Sequence, residues 1–577
     1  MMVIRRRRSS VVKSLAVLAV ICLPAALFRL KRTSQEDASI ESQNHRLLSL
    51  PYHDDDQRIP RDKTILKQLK AHEEVGPLSA PILHTQISPY TLDDVISVLP
   101  TFEDVVGVVI YDPPTDKFIL HYSKNMRWVA GCYKLVKSFR ALADSLRPMF
   151  PERFAPRSGG RQPAELALAI SSGDYPSTIE ERRNCYVGLE ATPCVPSDLA
   201  PVLQFGSAFK SPEIYPSMIA MPMAKINHVT CFQNFAAHRM VCPHYLPRSP
   251  DNPQGLVFEE TVGLGWNDLV PQVVWRGTDF WYLHRLYPRL RRPDFEMDVG
   301  SKLETIQYEF NVKAATTRAM REAYDQLIPR WKTVIWTAEA EREAEEKQKE
   351  VGEGEVVIPW ANMKFAAAMH AGVKTPTSEI PYYQKFEEHG IPASGEGMSL
   401  ETLARYKYHI DTGGGGGTTW SGTLEKLGLP GLLLHHETPM KDYLHEKMVK
   451  WVHYVPIKED LSDLKEKFDW AESHPELAKQ ISDNATRLAK SLGMHEGFSI
   501  MFNEFYETPL RAVVEAYQPL KNGVSDLKEA MMNNELRPIM QCSGYVTGDC
   551  EGLVDDVTFS LAAQHARNFD RSERRNK

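Results

Sequence analysis

The sequence predicts an α/β fold with parallel sheets. Three observations predict it: short apolar runs that read as buried strands, a strand–glycine–helix–strand unit, and an amphipathic helix behind that unit. In chain order, Val105-Val106-Gly107-Val108-Val109-Ile110 is the first buried-strand candidate, ended by Asp112-Pro113-Pro114. Leu166 to Ile170 is a second apolar strand, followed by the turn Ser171-Ser172-Gly173-Asp174-Tyr175-Pro176. Ala338 to Glu350 is charged on every face and reads as a solvated helix before a Gly352-Glu353-Gly354 linker. Ser473-His474-Pro475-Glu476 forms a capping box, and Leu477, Ile481, Ala485 and Leu488 behind it make a core-facing stripe.

The unit at residues 406 to 437 carries the most information. A strand, Tyr406 to Asp411, leads into the glycine run Gly413 to Gly417. Thr418-Thr419-Trp420-Ser421 then open a helix through Thr423, Leu424 and Leu427. The next strand, Gly431 to His436, stops at Glu437. Glycines let the backbone approach a phosphate closely, and a helix N-terminus behind them offers free N–H groups and the positive end of a dipole. An acid at the tip of the following strand is placed to accept hydrogen bonds from a ribose diol. The unit therefore predicts a nucleotide diphosphate site built on Gly414, Gly415, Gly416, Thr419, Ser421 and Glu437. No Gly-Lys-Ser/Thr follows, which excludes a P-loop, and Thr418 breaks a nicotinamide-dinucleotide fingerprint. A glycine run is also the composition of a flexible surface loop.

The chain has 577 residues, enough for two or three domains, with 42% hydrophobic and 25% charged residues. A net charge of −7 gives no electrostatic case for nucleic acid. Ser14 to Phe28 is apolar apart from Ser14, preceded by Arg5 to Arg8 and Lys13 and followed by Arg29, Lys31 and Arg32. This bias predicts a signal-anchor with a cytosolic N-terminus and a luminal bulk, a type II arrangement in the Golgi or ER membrane. A signal peptide cleaved near Pro24-Ala25-Ala26 is the alternative. Three close cysteine pairs, 185 with 194, 231 with 242 and 542 with 550, are candidate disulfides for an oxidising lumen; buried thiols are the other reading. Neither Cys-x-x-Cys nor His-Glu-x-x-His occurs, so zinc has no support.

Downstream of the glycine unit come Trp451-Val452-His453-Tyr454-Val455-Pro456, Asp460-Leu461-Ser462-Asp463-Leu464, Trp470-Ala471, Ala478-Lys479-Gln480-Ile481 and Asn484-Ala485. With Tyr406-Lys407-Tyr408 and Trp275-Arg276-Gly277 upstream, this ordered set resembles glycosyltransferase family 90 over about residues 160 to 500. That family includes capsule-associated xylosyltransferases and Rumi-type protein O-glucosyltransferases. The resemblance implies a GT-B-like architecture of two facing Rossmann-like lobes. It places an acceptor lobe at 96–265 and a nucleotide-sugar lobe at 266–505; charge and composition add a cytosolic tail (1–13), anchor (14–30) and polar stem (31–95), and a C-terminal extension (506–577) follows.

Moving a sugar from a nucleotide diphosphate requires a grip on the departing diphosphate and a base for the acceptor hydroxyl. Arg276, at the end of the strand that contains Val273 and Val274, is the cationic candidate, with Trp275 and Gly277 beside it. Asp174, in Gly-Asp-Tyr-Pro, resembles the family's Asp-x-Pro at the position of the inverting base, although Asp is also a common turn former. Many members carry an Arg just after Trp-Ser-Gly; here that position is Thr423, and Lys426, Lys441 and Arg405 are substitutes that spacing does not rank. A fold that neutralises diphosphate with Arg and a helix dipole needs no metal, and no cofactor beyond the UDP-sugar donor is expected. The expected function is thus transfer of glucose or xylose from a UDP-sugar to a protein or glycan hydroxyl. A luminal binding protein of the same fold that has lost catalysis is the alternative, and a nicotinamide oxidoreductase is disfavoured.

Overall fold

The computed structural model describes residues 58–78, 87–98, 106–123, 132–155, 163–175, 200–210, 218–224, 228–283, 286–287, 290, 292–293, 324–352, 354–370, 373–419, 421–521, 523–533, 536–544 and 549–552. The expected anchor at 14–30, most of the stem and the Cys185/Cys194 pair lie outside them. No helix among the described residues is long and apolar enough to cross a membrane.

The fold is mixed α/β, built on two large sheets. The strands are β1 Val106–Asp112, β2 Lys117–Ser123, β3 Leu166–Ser171, β4 Val202–Gln204, β5 Ala208–Phe209, β6 Met218–Ala220, β7 Val270–Thr278, β8 Ala361–His370, β9 Val373–Pro376, β10 Tyr406–Asp411, β11 Leu432–His436, β12 Met440–Lys441, β13 Val455–Ile457, β14 Leu536–Cys542 and β15 Cys550–Gly552.

The second sheet has the order β13-β11-β10-β7-β8-β9, parallel except for the edge strand β9, which pairs antiparallel with β8. Numbered from β7, that order is the doubly wound 3-2-1-4-5-6, and the strand order reverses between β7 and β10. β10 and β11 lie in the middle of it, and their buried Tyr408, Ile410, Leu432, Leu433 and Leu434 explain the apolar runs. The helix Pro475–Leu492 packs Leu477, Ile481, Ala485 and Leu488 into the core. No side-chain cap begins it; Ser473 instead donates to the carbonyls of Asp469 and Trp470 and closes the preceding helix, so the expected capping box does not form. In the helix Pro329–Val351 only the second half is solvated; Ala338, Ala340 and Ala344 are buried.

The first sheet corrects the expectation of parallel sheets in both lobes. Its order is β15-β14-β2-β1-β3-β4-β6, and only β3, β4 and β6 run parallel. The link from β1 to β2 is Pro113 to Asp116, too short for a crossover, so the pair must be an antiparallel hairpin. Asp116 takes a left-handed φ of 53° to close it. Part of the expected C-terminal extension joins this sheet. β14 pairs with β2 from Leu536 opposite Ser123 to Cys542 opposite Phe118, and β15 follows β14, joined to it by the Cys542–Cys550 disulfide. A second disulfide, Cys231–Cys242, ties the helix His228–His238 to the turn after it.

The two sheets are stitched together on one side. β5 pairs with β12, the Lys210 N–H donates to the Pro439 carbonyl at 2.8 Å, and Ser207 and Thr418 share a buried hydroxyl hydrogen bond of 2.7 Å.

Candidate active site

The site grows from the carboxyl ends of β7, β10 and β11, where a doubly wound sheet leaves a crevice at its reversal point. From β10, Asp411 is buried and accepts from His435 at 2.9 Å and from the Thr423 hydroxyl at 2.7 Å. Burial alone would raise the Asp411 carboxyl; the His435 ring, Lys426 and the Thr423 hydroxyl hold it below its ordinary value. Thr423, standing where an Arg was expected, thus anchors the base of the glycine turn. Thr419 shares a hydrogen bond with it at 2.7 Å.

The glycine run is an ordered turn. The Gly413 amide donates to His436 Nδ1 at 3.0 Å, Gly414 N–H to the Thr418 carbonyl, and Gly417 N–H to the Gly414 carbonyl at 2.9 Å. Only Gly417 of the five needs a positive φ, at 76°. The amides of Gly415, Gly416, Thr418 and Thr419 have no partner among the described residues. Ser421 opens the helix Ser421–Gly428 immediately behind.

The first lobe brings Asp174 onto this turn. β3 ends at Ser171, and the following Gly173–Tyr175 turn faces the glycines: a Cβ added at Gly415 would lie 3.3 Å from Asp174 Oδ2, and one at Gly416 would lie 2.3 Å from the Asp174 carbonyl oxygen. Glycine is therefore required at 416 by packing as well as by any ligand. Lys134, from the helix Cys132–Met149, forms an ion pair with Asp174 Oδ1. The sequence reading missed Lys134, since nothing local marks one lysine of a helix.

Arg276 is not brought to the glycines. Its guanidinium donates to the carbonyls of Trp275 at 2.9 Å and Asn362 at 2.8 Å, to Asn362 Oδ1 at 2.9 Å and to the Glu396 carbonyl at 3.1 Å. Trp275 is buried, and its indole lies where a side chain at Gly277 would be, which explains that glycine. The cation at the reversal point is Arg330, near the start of the helix Pro329–Val351. It donates to the Thr278 carbonyl and, at 3.2 Å, to the Thr412 carbonyl, and stacks 5.4 Å from the Trp275 ring centre.

Glu437 is buried and engaged from several directions. Lys210 of the first lobe reaches Oε2 at 2.8 Å, Lys450 lies 3.5 Å from the same oxygen, and Tyr454 donates to Oε1 at 2.8 Å. Burial would raise this carboxyl, but Lys210, His435 and Lys450 hold it well below the usual range. Of the other suggested cations, Lys426 Nζ donates to the Gly422 carbonyl at 3.1 Å and Lys441 is paired with Glu446. Phe280 and Trp281 stand partly exposed, with the Trp281 carbonyl 3.4 Å from a Cβ added at Gly415.

Comparison with known families bears on the class of this region: residues 368–508 match glycosyl transferase family 90. The match takes in the glycine turn, Thr419, Ser421, Glu437 and the Trp451–Pro456 stretch. It is narrower than the expected 160 to 500, and Asp174 and Trp275–Gly277 lie outside it. Among curated proteins the chain is similar to Protein O-glucosyltransferase 2 of Danio rerio, 29% identical over 116 residues, which are 19% of this chain and 22% of that protein. It is 36% identical over 101 residues to Protein O-glucosyltransferase 3 of Rattus norvegicus and 35% identical over 101 residues to its Homo sapiens counterpart, each alignment covering 16% of this chain and 18% of the relative. The alignments thus span about a fifth of the length of the curated relatives they match.

Proposed function

We propose that this chain is an inverting glycosyltransferase of GT-B architecture. It moves glucose or xylose from a UDP-sugar to a protein or glycan hydroxyl in the secretory pathway. The observation that carries the reading is the meeting of Asp174 from one lobe with the glycine turn of the other, at the reversal point of the second sheet. In the proposed reaction the unclaimed amides of Gly415, Gly416, Thr418 and Thr419 and the helix behind them receive the diphosphate. Asp174 takes the acceptor proton while the acceptor oxygen bonds to the anomeric carbon; the bond from that carbon to the diphosphate oxygen breaks, and UDP departs with the electron pair. Glu437 is the proposed ribose ligand; to serve, it must exchange its Lys210 or Tyr454 contact for the diol. The family match over 368–508 and the protein O-glucosyltransferase relatives support glycosyl transfer. The two disulfides and the basic-flanked apolar run at Ser14 to Phe28 support a luminal address.

A second reading, a binding protein of the same architecture without catalysis, is favoured by Thr423 in place of an arginine. A thermal-shift panel followed by a UDP-release assay tests both. Protection by UDP and not by NAD, with UDP released from UDP-glucose or UDP-xylose in the presence of an acceptor, supports the transferase. UDP protection without release from any donor–acceptor pair supports the second reading, and no protection by UDP removes both.

A further inference from the structure

We infer that Arg330, and not Arg276, is the cation that grips the diphosphate. The inference rests on the nucleotide reading above and names a residue that lies outside both the family match and the motifs read from the sequence.

Three observations carry it. The first is position: Arg330 ties the carbonyl of Thr278, the last residue of β7, to that of Thr412, the residue after β10. It therefore bridges the two strands between which the sheet order reverses, where ligands of doubly wound sheets lie. The second is contact with the glycine turn. A Cβ added at Gly414 would come within 2.7 Å of Arg330 Nη2 and 3.1 Å of Cζ, so the missing side chain at 414 is what lets the guanidinium reach the turn. The third is donor supply. A guanidinium has five N–H donors. Arg330 commits two to carbonyl oxygens, and its buried Nε has no partner. The neighbouring Thr412 hydroxyl is also buried and unpartnered. Arg276, by contrast, makes four hydrogen bonds to the β8 side of the sheet and the Glu396 segment. The Trp275 ring beneath Arg330 fixes its plane.

The test separates the phosphates from the nucleoside. Arg330→Gln should weaken UDP binding by about 10- to 100-fold, the range for a lost charged hydrogen bond, while leaving uridine affinity within about twofold. Gly414→Ala, which pushes a methyl group into the guanidinium, should weaken UDP in the same selective way and is the variant to read if Arg330→Gln does not fold. Arg276→Gln should bind UDP within about twofold of the wild type. UDP affinity unchanged in both Arg330→Gln and Gly414→Ala overturns the inference. Equal loss of UDP and uridine also overturns it, because the residue is then only a clamp between β7 and β10. Wild-type protein that binds neither UDP nor uridine removes the nucleotide reading itself, and this inference with it.

Discussion

Asp174 is the proposed base, and its surroundings set the test. Lys134 holds Oδ1, and Oδ2 lies on the Gly415 side. Asp174→Asn keeps the shape but cannot take a proton. It should bind UDP normally and lose about 10²–10⁴-fold in transfer rate, the usual contribution of a general base. Near-normal turnover would reduce Asp174 to a turn residue. This residue could be singled out because its Gly-Asp-Tyr-Pro turn resembles the family's Asp-x-Pro; the turn by itself marks only a common turn former. Lys134 and Arg330 could not: each sits in a helix and acquires its partner only when residues far along the chain are folded against it. Arg276 lies away from the glycine turn for the complementary reason. A strand-end arginine is read as facing the crevice, but the side chain of 276 turns toward β8 and Asn362.

At the scale of elements, the strand–glycine–helix–strand unit was legible because its apolar runs, glycines and helix start agree locally. The β1–β2 hairpin was equally available in Pro113 to Asp116, whose shortness rules out a parallel pair; apolar content alone does not distinguish the two. Several elements also bury neutral imidazoles: His121 on β2, His409 on β10 and His436 on β11 are held down to about 4, and His228 and His453 to about 3, in each case chiefly by burial. Since their folded values lie below the unfolded value of about 6.5, unfolding takes up protons once pH falls below that value. Stability should therefore be full above about pH 7 and decline from about pH 6.5 toward 4, each histidine contributing at most about 1.4 kcal/mol per pH unit. Glu437 acts in the same direction at lower pH: its depressed carboxyl favours the fold above its unfolded value, and that contribution is lost only in stronger acid. Thermal unfolding followed from pH 7.5 to 4.5 checks this, and a flat melting temperature across that range would contradict it. Reduction should also cost stability. The Cys231–Cys242 link closes a separation of 11 residues, worth about 2–3 kcal/mol, so Cys231→Ser should lower the melting temperature by several degrees.

The whole molecule is organised by crossings between its lobes. The chain builds the first sheet, then the second, and returns through the helix Thr508–Ala516 to complete the first with β14 and β15. Tyr506 meets Ser145, Tyr90 donates to the Val513 carbonyl at 3.0 Å, and the Leu520 N–H donates to Glu165 on the way. β14 carries no sequence motif because pairing with β2 asks only for a β-compatible run such as Ile539-Met540-Gln541. A chain ending at residue 530 should therefore expose the edge of β2 and partition largely into the insoluble fraction. Soluble, cooperatively melting protein from that truncation would count against this role.

That return path also sets an order of events during synthesis. The ribosome makes β2 early, yet β14, the strand that covers it, follows the whole of the second sheet in the chain. For most of translation the first lobe is a sheet with an open side, while the second lobe, whose strands β7 to β13 are contiguous in the chain, can close by itself. The half of the molecule made second is thus the first able to mature.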